Sequence, residues 1–570
     1  MCLSVEAEVN PGSNTTGSQS SSNPAPFAGA AYIDARHSAF IEVGRDNITY
    51  INYLSDFKEI LSTLKPVDRS GYYVQPCMEG TRENLLQEID VWLEDTNAPN
   101  ILWIKGCPGS GKSTIASSLV SRLIKRGRMG SSFAFKRGDI MLSDPAAVWR
   151  TMAHDLARYD PSFASILVEV LKSGRVDPGR ADITSHFESL IIDPLKKRHE
   201  HSLPSDIPVL VVDALDECGS DPSQAGQRKA LLGTLTHWSH MPGTFKLIIT
   251  GRDERLPRSI FSTCRQIELL AGAEVSTDTN KDIRLFFERR FAEIGGCFLP
   301  DWPMGTVIDI LTAQAAGLFI WAETVVRFVE QGLPEERLKD VLDGDLGEVD
   351  NVTQLYRQIL EISFQEADDH MLNVLNRVLT VIILAKIPLC IDDLPWFILQ
   401  PQSSVNFILD KLSSVISVRH NTEIHVNHLS FVEFMCDARR CPPHFHVDHN
   451  KGSRNVSMGC FRLMKGGLKF NICGLETSHL PNRAIDDLSE RITRNIKRPV
   501  LYSCRFWAAH IQDTQPEQEQ STTLLTLIKD FLLSRFLYWL EIMSVTENIT
   551  AAKIALLVAA GWVQVSVFLT

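Results

Sequence analysis

Apolar residues recur along the chain in two rhythms, and the places where one gives way to the other divide it. Leu85, Leu86, Ile89, Trp92 and Leu93 fall at helical spacing and predict a helix over Glu83 to Glu94, which Asn97 to Asn100 then breaks. From Asn100 to Arg252 short apolar runs alternate with longer amphipathic ones, the pattern of an α/β fold with a parallel sheet and helices on both faces. ILWIKG, SSFAFKRGD, VLVVDALDE and KLIITGRDE read as its strand ends. After Glu254 the strand signals fade, and IRLFFERRFAEI (Ile283 to Ile294) and AAGLFIWAETVVRFV (Ala315 to Val329) read as helices. Between Asn351 and Asp448 further helices precede a predicted hairpin, ISVRHNTEIHVNH, with Asn421 and Thr422 at its turn; helices followed by a β-ribbon suggest a winged helix. From Asn455 onward the pattern is helical and rich in aromatic residues, without an internal repeat of fixed period.

The two ends read differently. Residues 11 to 30 are rich in Ser, Asn, Gly, Pro and Ala, a composition that cannot offset the entropy of folding, so a flexible arm is expected. Phe40 to Leu54 carries β-branched and aromatic residues around Gly44 and Asn47 and suggests two short strands or a hairpin. The start of the chain lacks a basic segment followed by an apolar core, so it does not read as a signal peptide, and the cytoplasm is the expected compartment. The apolar run from Ile554 to Thr570 is interrupted by Gly561 and Gln564 and is expected to be a buried terminal helix; no membrane partner is expected.

With 570 residues the chain exceeds one hydrophobic core and fits roughly three or four domains. Hydrophobic residues at 44% and charged residues at 22% exclude a fibre or a wholly disordered chain. A net charge of −12 removes the global basic field that nucleic acid binding would use, so nucleic acid is not an expected partner. The twelve cysteines are scattered, and Cys436 and Cys441 lack the paired spacings of a zinc site, so they read as mostly buried thiols.

The chemistry concentrates in GCPGSGKST. It fits the Gly-x4-Gly-Lys-Ser/Thr pattern, follows the apolar run ILWI and opens the helical pattern STIASSLVSRLI, the context in which that pattern grips phosphates. Gly106, Gly109 and Gly111 let the backbone curl, through Ser110, so that successive N–H groups face the phosphates, and the helix N-terminus beginning near Ser113 and Thr114 adds partial positive charge. Lys112 supplies a point charge and the Ser113 hydroxyl is a candidate Mg²⁺ ligand. The ligand read from this motif is ATP or ADP with Mg²⁺, and GTP fits the motif as well.

PVLVVDALDE places Asp213 at the end of an apolar strand, at the carboxyl edge where parallel sheets bind ligands, as a second Mg²⁺ residue. Asp216 and Glu217 follow, either of them a candidate base for an attacking water. Arg252, at the tip of KLIITGRDE, is a candidate sensor of the terminal phosphate. Arg137 and Asp139 in FAFKRGD form a weaker candidate pair, which can equally bond to each other.

The trio GCPGSGKST, VLVVDALDEC and LIITGRDE, with CMEGTRENLLQEIDVWL upstream, resembles the NACHT branch of the STAND signal-transduction NTPases, in particular fungal proteins similar to incompatibility and innate-immunity receptors. AAGLFIWAETVVRFV, AKIPLCIDDL, HLSFVEFMCD and NICGLETSHLPNRAI extend the likeness over roughly residues 75 to 545. Composition gives a disordered arm at 1–36 and a short region with a possible β-hairpin at 37–74, and the resemblance implies a nucleotide-binding domain at 75–270, a small helical domain at 271–345, a winged-helix-like domain at 346–448 and a helical spacer at 449–570. A sensor of WD-type or other repeats normally follows in the family, and no such repeat occurs up to Thr570. It implies a switch held closed by ADP, opened through an unknown sensor ligand, oligomerising with ATP to engage an effector protein, and reset by slow hydrolysis. Carried over by position, Thr81 and Arg82 lie near the base and ribose, and His428 in VNHLSFVEF is the winged-helix histidine that touches the β-phosphate of ADP. A continuously cycling ATPase and a scaffold with permanently bound nucleotide are the alternatives.

Overall fold

The computed structural model describes residues 59–69, 74–137, 139–199, 207–219, 224–252, 264–295, 305–343, 351–419, 422–477, 479–515 and 518–569. The chain divides into Met1–Phe57 and Lys58–Thr570, and everything below belongs to the second unit. The arm and the β-rich segment Phe40 to Leu54 lie outside the described residues.

Five strands form one parallel sheet: β1 (Ile101–Gly106), β2 (Met129–Ala134), β3 (Val209–Asp213), β4 (Leu247–Gly251) and β5 (Arg265–Leu269), in the spatial order β2-β3-β4-β1-β5. The central strands are apolar because both faces are covered: every residue of β3 and β4 is buried. On one face, Leu86, Ile89 and Leu93 of the helix Glu83–Glu94 and Ile115, Leu119 and Leu123 of the helix Lys112–Lys125 pack on Leu102, Ile104, Val211 and Ile248. Ile248 is fully buried here, and truncating it to alanine would cost about 2–5 kcal/mol. Elsewhere in the unit Trp149, on the helix Ala147–Tyr159, stacks on Trp238 at 6.3 Å and donates its indole N–H to Thr234 Oγ1 at 3.1 Å. All strands being parallel, their carboxyl ends share one edge, where the candidate residues cluster.

β5 departs from the sequence reading, in which strand signals end at Glu254. Among the described residues it pairs only with β1, and of its own residues only Ile267 and Leu269 are buried. An edge strand with a wet face shows too few apolar positions to stand out.

From Thr277 onward the chain is mostly helical. AAGLFIWAETVVRFV is not one helix: Gly305–Ala315 ends, Ala316 and Gly317 take φ values of 47° and 86°, and a new helix runs Phe319–Glu330. Gly317 ends the first helix in the left-handed region, and a Cβ there would lie 2.8 Å from Val275 Cγ2 and 3.0 Å from the Leu270 carbonyl oxygen, so only glycine fits. Further on, four helices (Asn351–Ser363, Asp369–Leu384, Leu394–Ile398 and Gln402–Lys411) precede an antiparallel ribbon of β6 (Ile416–Val418) and β7 (Ile424–Val426). Thr422, at its turn, has a φ of 63°. The short helix Leu429–Met435 follows directly, with Phe431 and Phe434 packed around Tyr356.

The terminal helix runs Ile549–Leu569. It was expected to be buried, but only 28% of Ile549–Ser566 is. Ala552, Ala555, Ala559 and Trp562 seat it, whereas Ile554, Leu557 and Val565 face outward. Among the described residues it is the one helix long and apolar enough to cross a membrane.

Candidate functional site

The loop between β1 and the helix Lys112–Lys125 is shaped by its glycines. Gly109 and Gly111 hold φ values of 81° and 93°, which side-chain-bearing residues rarely adopt, and Gly111 caps the helix. A Cβ on Gly106 would meet Ser110 Oγ at 2.8 Å and Leu269 Cβ at 2.9 Å. The Ser110 hydroxyl is buried without a hydrogen-bond partner, and the Lys112 ammonium donates to the Gly106 and Cys107 carbonyls, both at 2.8 Å. Burial lowers the Lys112 pKa, and Asp216 and Asp213 work against that shift. Thr114 sits in the first turn of the helix, where backbone N–H groups lack intrahelical acceptors.

Asp213 ends β3 and is buried, with Thr250 and Ser113 donating hydroxyl hydrogen bonds to it. Burial raises its carboxyl pKa, and these bonds and Lys112 counter the rise. Ser113 and Asp213 are thus adjacent oxygen donors at the phosphate loop, hard ligands of the kind Mg²⁺ takes alongside phosphate oxygens. The buried unpartnered hydroxyl of Ser110 and the left-handed glycines likewise fit a phosphate cradle. The next residue, Ala214, takes a φ of 54°, and its N–H donates to Thr250 Oγ1 at 2.9 Å. This left-handed residue turns the chain sharply into the single turn Leu215–Glu217.

The two acids of that turn are placed differently. Asp216 is 3% exposed and ion-paired with Arg252 Nε at 3.2 Å, and it accepts the Arg252 N–H at 3.2 Å. Glu217 accepts the Arg137 N–H at 2.7 Å, and burial pushes its carboxyl up to about 7 against that bond. Arg137 pairs with Glu433 at 3.2 Å, whereas Asp139 accepts the N–H groups of Met141 and Leu142.

Elements beyond the sheet close over the loop. His428 caps the helix Leu429–Met435 by accepting the Ser430 N–H on Nδ1 at 3.1 Å. Burial, then the nearby charges of Lys112 and Arg252, push its pKa down to about 3, so the ring is neutral and carries its proton on Nε2. Arg82, with a φ of 60°, donates to the Ser110 carbonyl at 3.1 Å and to Thr279 Oγ1 at 2.8 Å, and lies 5.0 Å over the ring of Phe319. Thr81 is buried beside it and donates its hydroxyl to the Met78 carbonyl. The Ile320 N–H donates to the Gly109 carbonyl at 3.2 Å, so the helix Phe319–Glu330 rests directly on the phosphate loop.

Three participants were not read from the sequence. Thr250 is a polar residue in an otherwise apolar strand, a weak signal; Ile320 looks like any core position of a helix. Glu433, which joins Arg137 and Arg252, gives no signal, since its partners lie 296 and 181 residues away.

Sheet order, loop and acidic strand end together define a P-loop NTPase. Residues 80–252 match the family model described as Nephrocystin 3, N-terminal. The vegetative incompatibility protein HET-E-1 of Podospora anserina is 22% identical over 526 residues, covering 82% of this chain. The chain spans 35% of that relative's length. Among solved structures, a STAND protein with a tetratricopeptide repeat sensor from Pyrococcus horikoshii is 13% identical, with a TM-score of 0.39 over 86% of this chain and 65% of that one. The Aeropyrum pernix ORC2 protein is 11% identical, with a TM-score of 0.30 over 64% of this chain and 94% of the other. The matched segment and the relative liken the chain to the NACHT-type STAND NTPases.

Proposed function

We propose that this protein is a nucleotide-controlled signalling switch that binds ADP or ATP, holds a closed form with ADP, and oligomerises when ATP replaces it. The observation that carries this reading is the reach of a distant element into the phosphate site. Glu433 of the helix Leu429–Met435 pairs with Arg252 at 3.0 Å, and His428 of the same segment lies within electrostatic reach of Lys112. A site covered by an element distant along the chain couples its ligand to the position of that element.

In this reading Lys112 and the loop N–H groups bind the phosphates, with Ser110 and Thr114 at the loop and the helix start. Ser113 and Asp213 hold Mg²⁺, which neutralises phosphate charge. Neutral His428 donates from Nε2 to the β-phosphate, and Thr81, Arg82 and Phe319 flank the nucleoside. Glu217, with its carboxyl near 7, is the base for slow hydrolysis, and Asp216 orients Arg252 toward the terminal phosphate. The working parts are a nucleotide domain at 75–270, a helical domain at 271–345, a winged helix at 346–448 and a helical spacer at 449–570. The likeness to a vegetative incompatibility protein supports placing this chain in fungal incompatibility or innate-immune signalling, and the compartment proposed is the cytoplasm.

Steady-state turnover and ADP exchange, measured on the same preparation, test the reading. A switch releases ADP slowly and turns over no faster than it exchanges. Turnover far above the exchange rate of bound ADP identifies a cycling ATPase, and nucleotide that never exchanges identifies a scaffold.

A further inference from the structure

Arg137 follows β2 and Arg252 follows β4, with β3 between these two strands, so both guanidinium groups come from one edge of the sheet. They converge on a single oxygen: Glu433 Oε1 is 3.2 Å from Arg137 Nη1 and 3.0 Å from Arg252 Nη1. The side chains of Arg252, Arg137 and Glu433 are only 13%, 21% and 25% exposed, so solvent screens the contact weakly. Each arginine is also held in place by the acidic turn behind Asp213. The Arg137 N–H bonds to Glu217, and the Arg252 N–H and Nε bond to Asp216. Arg252 is thus anchored through its side chain and Arg137 through its backbone, and the carboxylate they share comes from the helix Leu429–Met435.

Two guanidinium groups meet one carboxylate oxygen between them. Guanidinium forks favour groups that offer several oxygens at once, and a terminal phosphoryl group has three, with more charge than a carboxylate. We infer that Glu433 is an internal stand-in for the terminal phosphate of a nucleoside triphosphate, occupying Arg252 and Arg137 until that phosphate displaces it. The inference rests on the proposed nucleotide site and adds two residues to it: Arg137 as a second arginine for the terminal phosphate, and Glu433 as its competitor. A diphosphate lacks the competing group and leaves the clasp closed. A triphosphate and Glu433 exclude each other at the arginine pair, so triphosphate binding frees the helix Leu429–Met435 from the sheet edge.

The test is to titrate ADP and a non-hydrolysable ATP analogue, each with Mg²⁺, into the full chain, into Glu433→Gln, and into Glu433→Gln/Arg137→Gln. Glu433→Gln should raise analogue affinity on the order of tenfold while ADP affinity stays within about twofold. Adding Arg137→Gln should remove most of that gain. Glu433→Asp, which keeps the charge but shortens the reach, should shift the ratio in the same direction by a smaller factor, and it stands in if Glu433→Gln does not fold. An unchanged ratio in these variants, an equal change for both nucleotides, or a gain that survives Arg137→Gln overturns the inference. Wild-type protein that binds neither nucleotide overturns the nucleotide reading with it, whereas wild-type binding with an unchanged ratio overturns the inference alone.

Discussion

Replacing Gly109 with alanine would place a Cβ 2.0 Å from Ile320 Cγ2 and 2.9 Å from Ile320 Cβ, on a residue whose φ is 81°. Carbon atoms in contact ordinarily sit about 3.5–4.0 Å apart, so the helix Phe319–Glu330 has to retreat from the loop by roughly 1.5–2 Å. The left-handed backbone costs an L residue about 1–2 kcal/mol, and overpacking of this kind a further 1–3 kcal/mol. The sum is roughly 2–5 kcal/mol. For a domain of this size, that lowers the melting temperature of its transition by about 4–20 °C. Scanning calorimetry of Gly109→Ala, Ile320→Ala and the double variant separates the two contributions. Ile320→Ala removes the 2.0 Å contact and leaves the one at 2.9 Å, so the double variant should recover about 1–3 kcal/mol over the additive sum and keep the backbone strain and the remaining crowding. An unchanged melting temperature in Gly109→Ala, or strict additivity in the double variant, would refute the claim that the helix is seated on the phosphate loop.

Three further outcomes follow from the site. Lys112→Ala should abolish nucleotide binding, read by titration calorimetry, while circular dichroism shows the fold retained, because the glycines and not the lysine shape the loop. His428→Ala should speed ADP release by about 10- to 100-fold in a stopped-flow chase, since one donor to a charged phosphate contributes about 1.5–3 kcal/mol; an unchanged off-rate would confine the histidine to capping its helix. The carboxyl of Glu217 is raised to about 7, so it is protonated below that pH and becomes a competent base above it. Hydrolysis should therefore rise with pH through about 7 in the wild type and lose that step in Glu217→Gln; a step that persists in the variant would move the base to another group.

The parts of this protein legible in its sequence are those whose physics is local. The loop from Gly106 to Ser113 announces itself because its residues must be consecutive, and Asp213 because a fully buried strand leaves one polar residue at its end. β5 escaped because an edge strand buries only Ile267 and Leu269, and the helix break at Gly317 because one glycine at a helical position has no signature until Val275 and Leu270 are seen against it. Glu433 was invisible because its chemistry lies in partners far along the chain. The terminal helix misled for a different reason. An apolar run states that a helix will form, while which of its faces is covered depends on neighbours such as Thr514, whose carbonyl accepts the Trp562 indole N–H from far along the chain.

That the site holds a diphosphate beneath a closed cover can be checked by purifying the protein without added nucleotide, denaturing it, and quantifying what is released by chromatography. Near-stoichiometric ADP is the expected result. A protein that releases no nucleotide and hydrolyses added ATP rapidly would contradict it, and would return His428 to a capping role.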